Sequence, residues 1–214
     1  MLKEVNDKQI MKLFHSINGH LLQDDKPSEY LTKLSKDPEF NKYPYNMLLK
    51  LKTTEQSKVH HPEGNVWNHT LMVVDEAAKR KTESKDEEVF MWTALLHDIG
   101  KPETTKIRKG RITAYDHDKV GAKRTKEFLS AILEDRDFIQ RVSNLVKYHM
   151  QVLYVLKDLP YKNVQGMQKD TDISEVALIG LCDRLGRTGS SEKEEEENIK
   201  LFIEKCKKYQ IERE

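Results

Sequence analysis

Residues 94–102 read Ala-Leu-Leu-His-Asp-Ile-Gly-Lys-Pro, which places a histidine and an aspartate side by side where an apolar helix should end. A buried imidazole or carboxylate needs a hydrogen-bond partner or a metal ion, because an isolated charge is costly in apolar surroundings. Consecutive residues of a helix do not share a face. His97 and Asp98 can therefore serve one site only if the helix ends there, as Gly100 and Pro102 predict.

The residues on either side of this stretch predict a mainly helical protein. Residues 87–98 are apolar nearly all round, which is typical of a helix at the centre of a core. Asn65 or Asn68 is a suitable N-cap for the preceding helix, which the apolar spacing extends to about Lys81. The same kind of spacing predicts further helices at about residues 8–22, with Gly19 as a possible end, and at about 118–133, 138–150 and 173–187.

A short stretch near residues 104–115 departs from this helical pattern. β-Branched residues flank the Lys109-Gly110 pair, which predicts a small β-hairpin. We therefore expect an all-α fold, a helical bundle with one small hairpin. Along the chain we interpret three segments: 1–60 as an N-terminal helical segment packed on the core, 61–189 as the domain that carries the site, and 190–214 as a charged C-terminal helix.

The composition limits the classes of partner. Lysine and arginine number 37 against 36 aspartates and glutamates, so no global positive field would hold the protein on nucleic acid without sequence preference. No apolar run approaches the roughly 18 to 20 residues of a membrane span, and the N-terminus lacks the pattern of a secretory signal. We therefore expect a cytoplasmic protein with no membrane partner. The 2 cysteines are too few for a thiolate zinc site, so metal ligands would be nitrogen and oxygen atoms.

Several further residues are candidate ligands, each from a different predicted helix or helix end. Asp183 is the strongest of them, because it lies on the apolar face of its helix, where a carboxylate needs a cationic partner. A single histidine on an apolar stripe is more often a satisfied core residue than a ligand, so the argument depends on the whole group. We call this group the six-residue set: His69, His97, Asp98, His117, His149 and Asp183. The other histidines lack inward or helix-end positions: His15, His20, His60 and His61.

The six-residue set resembles the signature of the HD superfamily of metal-dependent phosphohydrolases, over roughly residues 62–189. Two of its members, His117 and His149, match histidines of the HD subfamilies that hold two metal ions. The resemblance implies that Asp98 bridges the ions, with the other ligands divided between them: His69, His97 and Asp183 on one, His117 and His149 on the other. Imidazole and carboxylate ligands suit manganese, iron, nickel, cobalt, zinc or magnesium.

A closer likeness lies in the flanking motifs. Residues 61–74 (HPEGNVWNHTLMVV), Lys101-Pro102, residues 117–122 (HDKVGA) and residues 182–189 (CDRLGRTG) resemble the HD domain joined to many bacterial CCA-adding tRNA nucleotidyltransferases. Nothing before His61 resembles the nucleotidyltransferase head of those enzymes. We therefore expect a stand-alone HD domain, for which a role on tRNA is not implied.

The resemblance implies a phosphohydrolase. A metal-bound hydroxide would attack a phosphoester or phosphoanhydride bond of a nucleotide, a cyclic nucleotide or an RNA-terminal phosphate. Asp98 and Lys101 are then the candidate catalytic residues. Charge on the phosphoryl oxygens needs cations, so three basic residues are candidate substrate contacts: Lys101, Arg124 and Arg187.

Three alternatives stay open at this point. The histidine pattern also resembles the HD enzymes that cleave diadenosine tetraphosphate symmetrically. A second alternative is a non-catalytic HD module that binds a nucleotide for regulation. The third is a structural helical protein whose histidines only satisfy core hydrogen bonds, and this interpretation has to explain all six positions together.

Overall fold

Helices make up nearly all of the regular secondary structure, which confirms the predicted all-α class. The computed structural model describes the backbone of residues 2–211 and the side chains of residues 8–209. In chain order the elements are α1 (Leu2–Gln23), α2 (Pro27–Leu34), α3 (Asn46–Leu49), α4 (Val66–Arg80), α5 (Glu87–Leu96), α6 (Lys101–Thr104), β1 (Thr105–Arg108), β2 (Arg111–Ala114), α7 (His117–Ser130), α8 (Arg136–Tyr148), α9 (Gln151–Leu156), α10 (Val164–Asp170), α11 (Ile173–Leu185) and α12 (Glu192–Ile211). Short 3₁₀ helices lie at Pro38–Asn41, Lys50–Thr53 and Lys81–Glu83.

The strands β1 and β2 form an antiparallel hairpin between α6 and α7. Arg108 pairs with Arg111 next to the turn. Lys109 and Gly110 have φ angles of 50° and 73°. Positive φ at both central residues is typical of the type I′ turn, which is common in two-residue hairpins. The hairpin predicted near residues 104–115 is therefore confirmed.

Helix α5 lies at the centre of the fold because nearly its whole circumference is apolar. Every residue from Val89 to Leu96 is buried, and α5 packs against α1, α4, α8 and α11. The ring of Trp92 stacks on Phe14 of α1 with ring centroids 4.7 Å apart, and its Nε1 donates a hydrogen bond of 2.8 Å to Asn18. The N-terminal segment therefore shares one apolar core with the residues that follow it.

Side-chain caps determine where the helices around this centre begin. Asn65 accepts a hydrogen bond from a backbone N–H in the first turn of α4, and Asp86 does the same for α5. Asp135 and Asp172 cap α8 and α11 in the same way. Each cap satisfies a backbone donor that the start of a helix leaves unpaired. These four helices carry or lead to most of the six-residue set.

Helix α1 continues past Gly19, the possible end in the sequence, and stops at Gln23, close to the predicted end near residue 22. Leu21, which follows that glycine, is fully buried in the core. Burying a leucine side chain contributes roughly 1.5–3 kcal/mol, whereas a glycine inside a helix costs about 1 kcal/mol. The packing of Leu21 therefore outweighs the low helix propensity of Gly19.

The charged C-terminal segment forms α12, which packs on α9 and α11. Phe202 and Cys206 are its fully buried residues. Residues 212–214 of the predicted C-terminal helix lie outside the described residues. Within the described part of the chain, no helix is both long enough and apolar enough to cross a membrane.

A close approach of backbones joins the end of α5 to the start of α7. A Cβ atom built on Gly100 would lie 2.3 Å from the carbonyl oxygen of His117 and 2.5 Å from the backbone nitrogen of Gly121. Only glycine fits there without movement of the backbone. This contact holds the first turn of α7 against the turn that contains His97 and Asp98.

We expect Gly100→Ala to destabilise the protein by about 1–3 kcal/mol, because the added methyl group forces two backbone segments apart. Urea unfolding followed by circular dichroism measures the change. Gly19→Ala is the matched control, since no atom lies within 4 Å of the place that its added methyl group would take. The control should stabilise α1 by about 0.5–1 kcal/mol. Equal stability of the two variants would contradict this account.

Candidate metal centre

The six-residue set converges at the end of α5. His97 is the C-cap of that helix and Asp98 lies in the turn that follows it, so the helix ends where one site for both residues requires. The other members come from different elements: His69 from α4, His117 from the start of α7, His149 from the C-cap of α8 and Asp183 from the last turn of α11. None of the six is more than 7% exposed.

Asp98 occupies the middle of the cluster, and its two oxygens face different histidines. Oδ2 lies 3.2 Å from Nε2 of His97 and 3.9 Å from Nε2 of His69. Oδ1 lies 3.5 Å from Nε2 of His117 and 4.0 Å from Nε2 of His149. The carboxylate of Asp98 is therefore shared by two groups of potential ligands.

Each of the four imidazoles turns its Nδ1 toward a backbone carbonyl oxygen. A carbonyl only accepts hydrogen bonds, so Nδ1 carries the hydrogen. In His97, His117 and His149 this leaves Nε2 with a lone pair toward the cluster, whereas Nε2 of His69 donates to the carboxylate of Asp183. In metal-binding histidines, the ring nitrogen that does not bind the metal usually donates a hydrogen bond to a backbone carbonyl, a carboxylate or water. The nitrogen–oxygen distances are 2.8 Å for His97 to Ala94, 2.7 Å for His117 to Ala114, 2.7 Å for His149 to Val146 and 3.2 Å for His69 to Gly186.

Two polar atoms of the cluster are buried without a hydrogen-bond partner. These are Nε2 of His97 and Oδ1 of Asp98, whereas Oδ2 of Asp98 forms an ion pair with Nζ of Lys101, 2.7 Å away. The Nε2 atoms of His117 and His149 lie 3.2 Å apart, and each carries a lone pair when its Nδ1 holds the hydrogen. Buried acceptors without donors are unfavourable, and a cation among them removes that cost.

The donor set fits divalent metal ions. His69, His97 and Asp98 form one group whose ligand atoms all lie within 4.8 Å of one another, and Asp98, His117 and His149 form a second group of the same kind. Asp98 belongs to both. Four imidazole nitrogens with carboxylate oxygens, and no thiolate, suit first-row transition metals.

The protonation states in the centre of the cluster are those that metal ligands need. Burial opposes ionisation of Asp98, but His97 and Lys101 beside it hold its pKa well below the usual range. Burial lowers the pKa of His117 to about 3. Burial, together with the neighbouring His97, also lowers the pKa of His149. Near neutral pH Asp98 is therefore a charged carboxylate, and His117 and His149 are neutral imidazoles, which are the forms that bind metal ions.

The Asp183 side of the cluster is held by ionic hydrogen bonds. Burial opposes ionisation of Asp183, but Arg187 and His69 hold its pKa well below the usual range. Burial disfavours charge on His69, but its bonds to Asp183 and Glu63 raise its pKa. Nε2 of His69 lies 3.0 Å from Oδ1 of Asp183. A metal ion at this nitrogen would displace the proton that the nitrogen shares with the carboxylate.

Two of the three predicted basic residues lie against the cluster. Lys101 is buried, and its Nζ lies 2.7 Å from Oδ2 of Asp98 and 2.5 Å from Oε1 of Gln56. Nη2 of Arg187 donates to both carboxylate oxygens of Asp183, at 3.1 Å and 2.9 Å. Each carboxylate of the set therefore has one cation beside it.

Arg124 is not brought to the cluster. Its Nε donates to Glu103 at 2.5 Å, and its Nη1 forms an ion pair with Glu127. All three side chains are exposed. Arg124 lies two turns after His117 along α7, and at this distance along the helix its guanidinium group contacts Glu103 of α6.

Two residues that the sequence reasoning left out do lie at the cluster. The ring of His61, for which the sequence predicts no inward position, lies with its centroid 4.8 Å from that of His69. Oε1 of Glu63 lies 2.8 Å from Nδ1 of His61 and 3.0 Å from Nδ1 of His69. Their signals in the sequence are their place in the flanking motif of residues 61–74 and their position just before Asn65, the N-cap of the helix that carries His69.

Comparison with known proteins agrees with this geometry. A family model described as HD domain matches residues 66–188, more than half of the chain. Three similar proteins are an A-adding tRNA nucleotidyltransferase of Deinococcus radiodurans (31% identical; 44% of this chain, 21% of that protein), a multifunctional CCA protein of Halorhodospira halophila (36%; 49% and 24%) and a CC-adding tRNA nucleotidyltransferase of Thermus thermophilus (33%; 46% and 22%). The chain thus matches less than a quarter of the length of each of these relatives.

Proposed function

Because the chain belongs to the HD domain family, a superfamily of metal-dependent phosphohydrolases, we propose that it hydrolyses a phosphoester or phosphoanhydride bond. The substrate is a nucleotide, a cyclic nucleotide or the terminal phosphate of an RNA. The observation that carries the proposal is that two buried acceptors at the centre of the cluster, Nε2 of His97 and Oδ1 of Asp98, have no hydrogen-bond donor. The names of the relatives, which refer to tRNA, support the inclusion of an RNA end among the substrates.

The proposed centre holds two divalent ions. His69, His97 and Asp183 bind one ion, His117 and His149 bind the other, and Asp98 binds both. The two groups that share Asp98 support this division. When bound, the ions lower the pKa of a water molecule and offset the charge of phosphoryl oxygens.

The chain's own residues position and stabilise the reacting groups. Lys101 and Arg187 hold the two carboxylates and place positive charge where phosphoryl oxygens gain negative charge. The carbonyls of Ala94, Ala114 and Val146 fix the hydrogens of three imidazoles on Nδ1, so that Nε2 stays available. These groups are in place before substrate binds, which reduces the reorganisation needed in the transition state.

A substrate panel tests the proposal. The purified protein is loaded in turn with manganese, nickel, cobalt or iron and incubated with nucleoside phosphates, 2′,3′-cyclic nucleotides, an RNA with a terminal cyclic phosphate and diadenosine tetraphosphate. We expect turnover of at least one of these with at least one metal, and product analysis then separates phosphodiesterase action from symmetric cleavage of the dinucleotide. Thermal stabilisation by a nucleotide without any product would instead support a regulatory binding module.

We expect Arg187→Gln to lower kcat/KM by about 100-fold on the substrate that the panel identifies, since a charged donor to the phosphoryl group is lost. Arg124→Gln is the matched control, because it removes the same charge from an arginine held by Glu103 and Glu127 on the surface. Steady-state kinetics measures both variants. A loss with Arg124→Gln as large as that with Arg187→Gln would contradict the assignment of these two arginines.

A further inference from the structure

Gln56 is a buried amide beside the cluster that the proposed chemistry has not used. It lies between the 3₁₀ helix Lys50–Thr53 and α4, and only 7% of it is exposed. Its Oε1 accepts a hydrogen bond of 2.5 Å from Nζ of Lys101. The same Nζ lies 2.7 Å from Oδ2 of Asp98. One ammonium group therefore separates the amide of Gln56 from the central carboxylate.

The nitrogen of this amide is buried and has no hydrogen-bond partner. The oxygen and nitrogen of an amide have to be assigned from their partners. An ammonium group only donates, so the oxygen of Gln56 must face Lys101 and the NH2 group must point elsewhere. A buried donor without an acceptor is unfavourable unless another molecule supplies the acceptor.

A second buried donor near the cluster lacks a partner in the same way. Nε of Arg187 has none, although Nη2 of the same side chain donates to Asp183. Within the described part of the chain, Gln56 and Arg187 supply the only amide and guanidinium nitrogens that are buried and unpaired. The amide of Gln56 contacts Lys101, which pairs with Asp98, and Arg187 itself pairs with Asp183. The two carboxylates are near each other, because Nε2 of His69 lies 3.0 Å from Asp183 and 3.9 Å from Asp98.

Unpaired donors beside the proposed metal centre are suited to an anion with several acceptor oxygens. A phosphoryl group has such oxygens, and charge-assisted hydrogen bonds from amide and guanidinium groups are among the stronger ones in proteins. From this arrangement we infer that Gln56 is a substrate-binding residue, whose Nε2 donates to a phosphoryl oxygen while its Oε1 holds Lys101. The inference rests on the proposed function and adds a residue from the N-terminal segment to the site.

The variant Gln56→Glu separates the two roles of the side chain. It keeps an oxygen acceptor for Lys101 but replaces the NH2 donor with a second carboxylate oxygen, which repels a phosphoryl group. Calorimetric titration of the manganese-loaded protein with inorganic phosphate measures binding without turnover. We expect the affinity for phosphate to fall by about tenfold or more while the manganese content is unchanged. Gln140→Glu on the exposed face of α8 is the control with the same change of charge, and it should bind phosphate as the unaltered protein does.

A neutral variant keeps the inference testable if the added charge of Gln56→Glu prevents folding. Gln56→Leu removes donor and acceptor together and should also weaken phosphate binding by about tenfold. Phosphate binding that is equal in the unaltered protein and in either folded variant would overturn the inference, as would the absence of phosphate binding by the unaltered protein. Gln56-dependent phosphate binding without turnover of any substrate would support the inference and count against the proposed hydrolysis.

Discussion

Asp98→Ala should lose at least about 1000-fold in kcat together with most of its bound metal. The carboxylate of Asp98 belongs to both groups of ligands, and its oxygens lie 3.2 Å from His97 and 3.5 Å from His117. Metal ions supply several kcal/mol of transition-state stabilisation, and each 1.36 kcal/mol corresponds to about a tenfold change in rate. Steady-state kinetics and elemental analysis of the same sample measure the two losses.

The control for this variant is Asp137→Ala, which removes an exposed aspartate of α8. It should keep both the activity and the metal content of the unaltered protein. An Asp98→Ala protein that keeps its metal and its rate would show that the centre of the cluster has been assigned wrongly. A fall in rate with full metal content would limit Asp98 to a role in catalysis without metal binding.

Removal of metal should lower the midpoint of thermal unfolding by about 10 °C. A ligand present at about 1000 times its Kd stabilises the folded state by about 4 kcal/mol, and about 2–4 °C accompany each kcal/mol in a domain of this size. Without a metal ion, Nε2 of His97 and Oδ1 of Asp98 stay buried without a hydrogen-bond partner. Scanning calorimetry before and after treatment with a chelator measures the shift.

Readdition of manganese should restore the original midpoint, which distinguishes removal of metal from damage to the protein. The Asp98→Ala variant is the matched control, since a chelator should change its midpoint little. An unaltered protein whose midpoint does not respond to the chelator or to manganese would support the structural interpretation, in which the histidines only satisfy core hydrogen bonds.

Local signals in the sequence were enough to predict the helices around the site. Caps such as Asn65 and the apolar spacing of residues 87–98 are local features, and they place α4 and α5 close to their observed bounds. Helix α1 does not stop at Gly19, the possible end within the predicted helix, because Leu21 packs in a core that local spacing does not reveal. Membership of the HD domain family, inferred from the order of the histidines and aspartates, is confirmed.

The positions of the remaining site residues depend on contacts between distant parts of the chain. Gln56 and His61 lie outside the regular helices, so no periodicity indicates which way they face. The approach of Gly100 to Gly121, which brings α7 to the cluster, is also a tertiary contact. For Arg124 the helical spacing suggested a place in the site that the structure does not give it. The spacing cannot show that Glu103 and Glu127 pair with this arginine on the surface.

The number of metal ions per chain tests the central claim most directly. After loading with manganese and desalting, elemental analysis of the unaltered protein should find about two ions per chain, as a dinuclear centre requires. His149→Ala should keep about one, because the group of His69, His97 and Asp98 stays intact. Loaded, folded protein that contains no bound ion would contradict the account.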